Sequence, residues 1–284
     1  MARVLRNATH FLGESLATIT GDGKLENFTH DIGWLKDLGL SLAVVFHGSD
    51  IRSPARHIES VPSSYARLYD PDFRRILEES ALFRRGVARQ LGLPLFVTTP
   101  DLLEDLPEAS WLPVTTSAQL WSSEPIHAFN QRLRVLHVPS LRKPPIKGTA
   151  VIDPILQRLH DEGVISYIAP TFVAHSDMPA LVKSVDIVVD QVLSGYYGVA
   201  AIEAMAAGRL VIGNLGADFR KRIESPIPIV DSPPDDLEDI IRDVVRNPSK
   251  YLRVAADGPR YFNLYHSGSG TIEALSRWLI GSRN

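Results

Sequence analysis

Arg142, Lys147 and Glu203 have side chains suited to an anionic, hydroxyl-rich ligand. Arg142 and Lys147 lie in Leu141-Arg142-Lys143-Pro144-Pro145-Ile146-Lys147-Gly148, just after an apolar run. Two prolines stiffen that loop, and the two cations flank a short turn. Arginine offers phosphate a bidentate fork, and lysine offers it a compact charge. The plainer alternative is a solvated basic loop. Glu203 stands in VAAIEAMAA, a run of strong helix formers stopped by Gly208. Almost all its neighbours are Ala, Val, Ile or Met, so its carboxylate needs a partner. A ribose diol would serve; an arginine of the protein, or the helix's own cap, is the plainer partner. Before the helix, Ser194-Gly195-Tyr196-Tyr197-Gly198 frees the backbone. The N–H groups of Gly198, Val199 and Ala200 would then face an anion at the helix start.

A third polar cluster is His47-Gly48-Ser49-Asp50-Ile51-Arg52. Its His, Ser and Asp are too close in sequence to line up as nucleophile, base and orienter. They suit a polar binding loop, with Ser49 and Asp50 as its candidates, or simply a capped turn. Tyr196 and Tyr197 are candidates for substrate stacking, although packing is the commoner use of such residues. Asp70-Pro71-Asp72 reads as a helix start rather than a metal site. The chain has no G-x-G-x-x-G, no P-loop and no H-E-x-x-H. Ser267-Gly268-Ser269-Gly270 lacks the strand of a nucleophile elbow.

The elements that must position these residues alternate between strand and helix, which predicts an α/β fold with largely parallel sheets. In the first half, Leu42–Phe46 and Pro94–Thr98 read as strands and Asp72–Leu91 as a helix. A Ser- and Pro-rich linker at Thr115–Pro125 follows. The second half holds five apolar strands: Leu133–Val138, Ile165–Ala169, Ile187–Asp190, Leu210–Asn214 and Ile227–Val230. With their intervening helices they make a complete doubly wound domain. The first half has fewer units. The expected architecture is two Rossmann-like domains facing across a cleft. We expect an abbreviated N-terminal domain over 1–124 and a complete Rossmann-like second domain over 125–264. A C-terminal helix over 265–284 would pack back on the first domain.

The 284 residues are 44% hydrophobic and 22% charged, as in ordinary globular proteins. A net charge of −3 lacks the basic footprint of a nucleic-acid binder. The absence of cysteine excludes disulfides, thiolate catalysis and Cys-ligated zinc. There is no apolar run of membrane-span length and no signal peptide, so we expect a soluble, cytoplasmic protein.

In this order, the three clusters resemble the retaining GT-B nucleotide-sugar glycosyltransferases, family 4 in particular (glycosyltransferase group 1). That family carries Arg, four residues, then Lys-Gly, matching Arg142 and Lys147-Gly148. The resemblance implies that both cations bind the donor diphosphate. The second Glu of the family's Glu–x7–Glu element falls on Glu203 and implies a ribose contact. The first falls on Gly195, where the family's sugar-contacting Glu is missing. VVFHGSDIR resembles the segment beside the sugar, which puts His47 near the reacting centre. Family members begin with a strand and a glycine-rich loop. Nothing before Leu42 supplies them clearly, and Gly21-Asp22-Gly23 is a weak substitute.

The resemblance implies hexosyl transfer with retention and without a metal or other cofactor. The donor would be a UDP- or GDP-linked sugar and the acceptor is unread; a homo-oligomer or a partner subunit is compatible with it. The competing reading is a nucleotide-sugar-binding subunit that needs a partner for transfer. A third keeps the fold and changes the reaction to epimerisation or phosphorolysis.

Overall fold

The computed structural model describes residues 7–19, 25–140, 146–170 and 172–281, with 25–30 as backbone only. The elements run β1 (His10–Glu14), α1 (Leu25–Asp37), β2 (Ser41–Phe46), α2 (Pro54–Ser60), α3 (Pro71–Leu91), β3 (Leu95–Val97) and β4 (Ser110–Trp111). There follow α4 (Ala118–Trp121), β5 (Leu133–Leu136), α5 (Thr149–Asp161), β6 (Ile165–Ile168), α6 (Met178–Lys183) and β7 (Ile187–Val189). The chain continues through α7 (Val199–Ala206), β8 (Leu210–Gly213), α8 (Ala217–Lys221), β9 (Val230–Asp231), α9 (Leu237–Arg246), α10 (Pro248–Tyr265) and α11 (Ser269–Gly281). They form two compact units. One comprises Met1–Pro54, Pro71–Pro113 and Thr271–Asn284; the other comprises Ala55–Asp70 and Val114–Gly270.

The first unit holds a parallel sheet in the order β1-β2-β3-β4. β2 is apolar without a break because both of its faces are covered. Val44 and Phe46 pack with Leu35, Ala88 and Leu102 on one face. Ala43 and Val45 pack with Phe96, Leu112 and Trp278 of α11 on the other. Trp278 Nε1 donates to Ser41 Oγ at 2.8 Å, which satisfies its buried polar end.

The opening strand is a correction to the sequence reading. β1 exists, with His10 to Glu14 in register with Ser41 to Val45. HFLGE is an edge strand, partly exposed along most of its length, so its apolar signal is weak. Pairing with β2 decides it. Gly21-Asp22-Gly23 lies outside the described residues.

The second unit holds a five-stranded parallel sheet in the order β6-β5-β7-β8-β9. Its strands bury Val135, Ile165, Ile187, Val189, Leu210 and Ile212 against helices α5, α9 and α10. The Ala-rich α7 packs on α10 and β8. The expected linker contains α4, which buries Trp121 beneath a polar composition. Residues 55–70 also belong to this unit, and Tyr65 and Ala66 enter its core.

Candidate functional site

In an open parallel sheet, ligands bind beyond the carboxyl ends of the strands where the order reverses. In the second unit that point lies between β5 and β7, because β6 adds on one side and β8 on the other. The polar residues of the unit gather there.

His137 follows β5 and is fully buried. Its Nδ1 lies 2.9 Å from the Val189 carbonyl and its Nε2 2.9 Å from the Thr149 hydroxyl. A carbonyl only accepts, so Nδ1 carries the proton and Nε2 accepts from Thr149. Burial lowers its pKa and keeps it neutral. This histidine ties β5, β7 and the start of α5 together beneath the site.

Lys147 arrives over that floor. Its Nζ donates to the Val138 carbonyl at 3.1 Å and sits 3.7 Å from Asp190 Oδ1. Gly148 makes this placement possible. Its φ is +87°, and a Cβ there would lie 2.7 Å from Val192 Cγ2. The Lys-Gly pair is therefore required as a pair, and not only for its charge. Arg142 lies outside the described residues.

Asp190 follows β7 and is 1% exposed. Its Oδ2 accepts the Gly198 N–H at 2.6 Å, at the start of α7. Its Oδ1 has no hydrogen-bond partner among the described residues. Gly198 is thus engaged within the protein, and among the described residues no side chain caps the helix start, where Val199 and Ala200 present their N–H groups. Glu203, one turn further on, is half-buried with no hydrogen bond among the described residues. Burial raises its pKa to about 7; Lys147 opposes the rise and Asp190 adds to it. One cation and two carboxylates therefore share this crevice. The unbonded Glu203 carboxylate leaves acceptors for ligand hydroxyls, and Lys147 is the cation there that an anion can meet.

The loop from Gln191 to Gly195 is braced from residues 57–64. His57 bridges Ser64 Oγ (2.6 Å) and the Ser194 carbonyl (2.8 Å). Asn214 donates to Ser63 Oγ and the Val192 carbonyl. Gly195 has φ +70°, and a Cβ there would lie 2.4 Å from Val61 Cγ2. That explains glycine where the resembled family has glutamate. Tyr197 is buried, and its hydroxyl bonds those of Tyr261 (3.0 Å) and the ring of His266 (2.8 Å). It is taken up by the core. Tyr196 is partly exposed and its carbonyl accepts from Gln191.

In the first unit, His47 is exposed at the carboxyl end of β2, with Nε2 2.9 Å from Glu14 Oε1. Ser49 is exposed. Asp50 accepts from Ser15 Oγ and from the N–H groups of His47, Gly48 and Ile51, so it ties its own loop. Arg52 is buried on Asp101 and Thr99, a structural role.

Sequence reasoning missed Asp190, His137, His57 and Glu14. Asp190 carried a signal, a carboxylate closing the apolar strand DIVVD; the others show theirs only in three dimensions. A surface hollow of about 290 Å³ lies at the amino end of β5, among Phe129, Leu133, Val164, Val244 and Pro248. It has no converging charges and lies at the wrong end of the strands for the expected site. Among the described residues, no helix is long and apolar enough to cross a membrane.

No protein-family model and no curated protein matches the sequence. Solved structures do match in fold. Sucrose-phosphate synthase from Thermosynechococcus elongatus superposes with a TM-score of 0.62 at 13% identity, over 96% of this chain and 74% of that one. Anabaena HepE, solved with UDP and glucose, gives 0.60 at 12% identity, over 99% and 81%. A variant of S. aureus TarM, solved with fondaparinux, alpha-GlcNAc-glycerol and UDP, gives 0.54 at 14%, over 89% and 54%. At such identities the likeness is one of fold, and the fold of this chain is the α/β GT-B fold of these glycosyltransferases.

Proposed function

We propose that this chain transfers a sugar from a nucleoside diphosphate donor to an acceptor hydroxyl, with retention at the anomeric carbon and no metal. The observation that carries the reading is the meeting of Lys147, Glu203 and the start of α7 at the switch point of the second sheet. A diphosphate suits the lysine and the N–H groups of Val199 and Ala200 at the helix start. A ribose diol suits the otherwise unbonded Glu203. UDP is the first donor nucleotide to test, since HepE and TarM were solved with it.

In the proposed reaction the anomeric C–O bond breaks and the nucleoside diphosphate leaves. The acceptor oxygen bonds to the anomeric carbon from the same face, and its proton passes to the departing phosphate oxygen. Lys147, Arg142 and the helix start stabilise the charge growing on that oxygen. A preorganised donor of this kind is worth roughly 3–4 kcal/mol in the transition state. His47 serves the sugar rather than acting as an obligatory base.

The test is calorimetric titration with UDP-, GDP- and dTDP-sugars, followed by mass detection of donor consumption over an acceptor panel. Product anomeric configuration, read by NMR, tests retention. Activity undiminished by chelators would support the metal-free step. Failure to bind any nucleotide sugar would sink the reading. Binding without transfer or hydrolysis would favour a partner-dependent subunit.

A further inference from the structure

Asp190 stands at the carboxyl end of β7, where its own N–H donates to the Ile212 carbonyl of β8 at 2.9 Å. Its side chain is almost wholly buried. Oδ2 accepts the Gly198 N–H at 2.6 Å, and a Cβ on Gly198 would lie 3.2 and 3.4 Å from the two carboxylate oxygens. Gln191 holds the turn between them by donating to the Tyr196 carbonyl. Aspartate and glycine are a fitted pair.

A cap for Gly198 does not need this charge. Ser, Thr or Asn accepts a helix-start N–H as well. The charge also opposes an anionic ligand. Oδ1 lies 3.7 Å from Lys147 Nζ and has no hydrogen-bond partner among the described residues. A ligand oxygen bonded to that ammonium at about 2.9 Å lies no more than roughly 6.6 Å from Asp190 Oδ1. Like charges that close repel appreciably where burial limits screening. The field of Asp190 does reach the open part of the crevice. Burial is the main cause of the raised pKa of half-buried Glu203, and Asp190 adds to it.

We propose that Asp190 is a specificity-determining residue of the second unit, selecting a diphosphate whose outer phosphate is esterified over one whose outer phosphate is free. This rests on the reading that the site takes a nucleoside diphosphate. A free outer phosphate is a monoester whose second ionisation falls near pH 6, so at pH 8 it carries about one more negative charge than an esterified one. That charge is added on the side of the ligand that Lys147 meets. Lys147 favours both forms, and Asp190 behind it penalises the more highly charged form. A donor is esterified at that phosphate and the departing nucleoside diphosphate is not. The lysine therefore assists bond cleavage, and the carboxylate hastens release of what is left.

The test is calorimetry on the full chain at pH 8 with UDP and with its methyl ester, in which a methyl group caps the outer phosphate. The ester isolates charge from any contact to a sugar. In Asp190→Asn, which keeps an acceptor for Gly198, UDP should gain about tenfold in affinity relative to the ester. Asp190→Ala removes the same charge and should shift the ratio alike, although it loses the Gly198 bond. Thermal unfolding identifies which variants are folded. A merely structural role would change both affinities by the same factor. An unchanged ratio in the folded variants overturns the proposal, as does a folded variant that binds neither ligand when wild type binds both. Wild type binding neither UDP nor its ester overturns the nucleoside diphosphate reading, and this proposal with it.

Discussion

The buried carboxylate of Asp190 accepts the backbone N–H of Gly198 at 2.6 Å, and so joins the end of β7 to the start of α7 across a seven-residue turn. The helix that carries Glu203 is thereby anchored to the strand beside Lys147. Its second oxygen faces the lysine at 3.7 Å without a hydrogen bond among the described residues.

Asp190→Ala should leave the Gly198 N–H without its partner and cost about 1–3 kcal/mol of stability. Asp190→Asn keeps an acceptor in place and should cost less. Urea unfolding of the two variants measures the difference. Equal losses would mean that charge, not the hydrogen bond, is what the fold uses.

Glu203 should make the protein less stable as pH rises. Its folded pKa of about 7 lies above the ordinary carboxylate value of 4.5, so ionising it costs folding free energy. No cost is present below about pH 4.5. It grows as pH rises to 7 and is constant above. Glu203→Gln should therefore match wild type at pH 4 and be more stable at pH 8, by about 2 kcal/mol after allowing for solvent screening at a half-buried site. Thermal unfolding across that range reads it. A constant offset at every pH would exclude the titration as its source.

Donor binding should follow the same proton with the opposite consequence. Ribose hydroxyls donate to the ionised carboxylate, so UDP-glucose should bind more tightly from pH 6 to 8 and levelling off above about 7. Its diphosphate diester does not titrate in that window. Calorimetry in buffers of different ionisation enthalpy should show net proton release near pH 6.5. Glu203→Gln should abolish both effects and weaken binding overall.

Gly195→Glu, which restores the resembled family's residue, should destabilise the chain by roughly 2–4 kcal/mol. Both the φ of +70° and the 2.4 Å approach to Val61 oppose a side chain there. Val61→Ala should relieve the steric part and leave the backbone part. If the double variant is no more stable than Gly195→Glu alone, the approach to Val61 is not the obstacle.

Lys147→Gln should weaken UDP-glucose binding by about tenfold or more. His137→Gln, lying beneath the site without touching ligand, should lower Tm more than it alters affinity. The reverse pattern would mean that His137 reaches the ligand itself.

The sheets were legible where strands are buried on both faces. LAVVF, LRVL and IVV read as unbroken apolar runs because parallel strands are covered by helices on each side. The edge strand β1 was not legible, since a half-exposed HFLGE has no such run. Trp121 was hidden for a related reason: one buried ring in a Ser- and Pro-rich stretch makes no period.

Glu203 and Lys147-Gly148 were determined by the sequence alone. A carboxylate among alanines and a cation before a glycine are local facts, and their chemistry follows from residue type. Only the tertiary structure decided their company. Asp190 beside Lys147, His137 under both, and Val61 against Gly195 join residues tens of positions apart or more. Hydrogen bonds and steric contacts depend on distance in space, and only folding sets that distance. Burial likewise raises the Glu203 pKa to about 7, because desolvation comes from everything packed around the group.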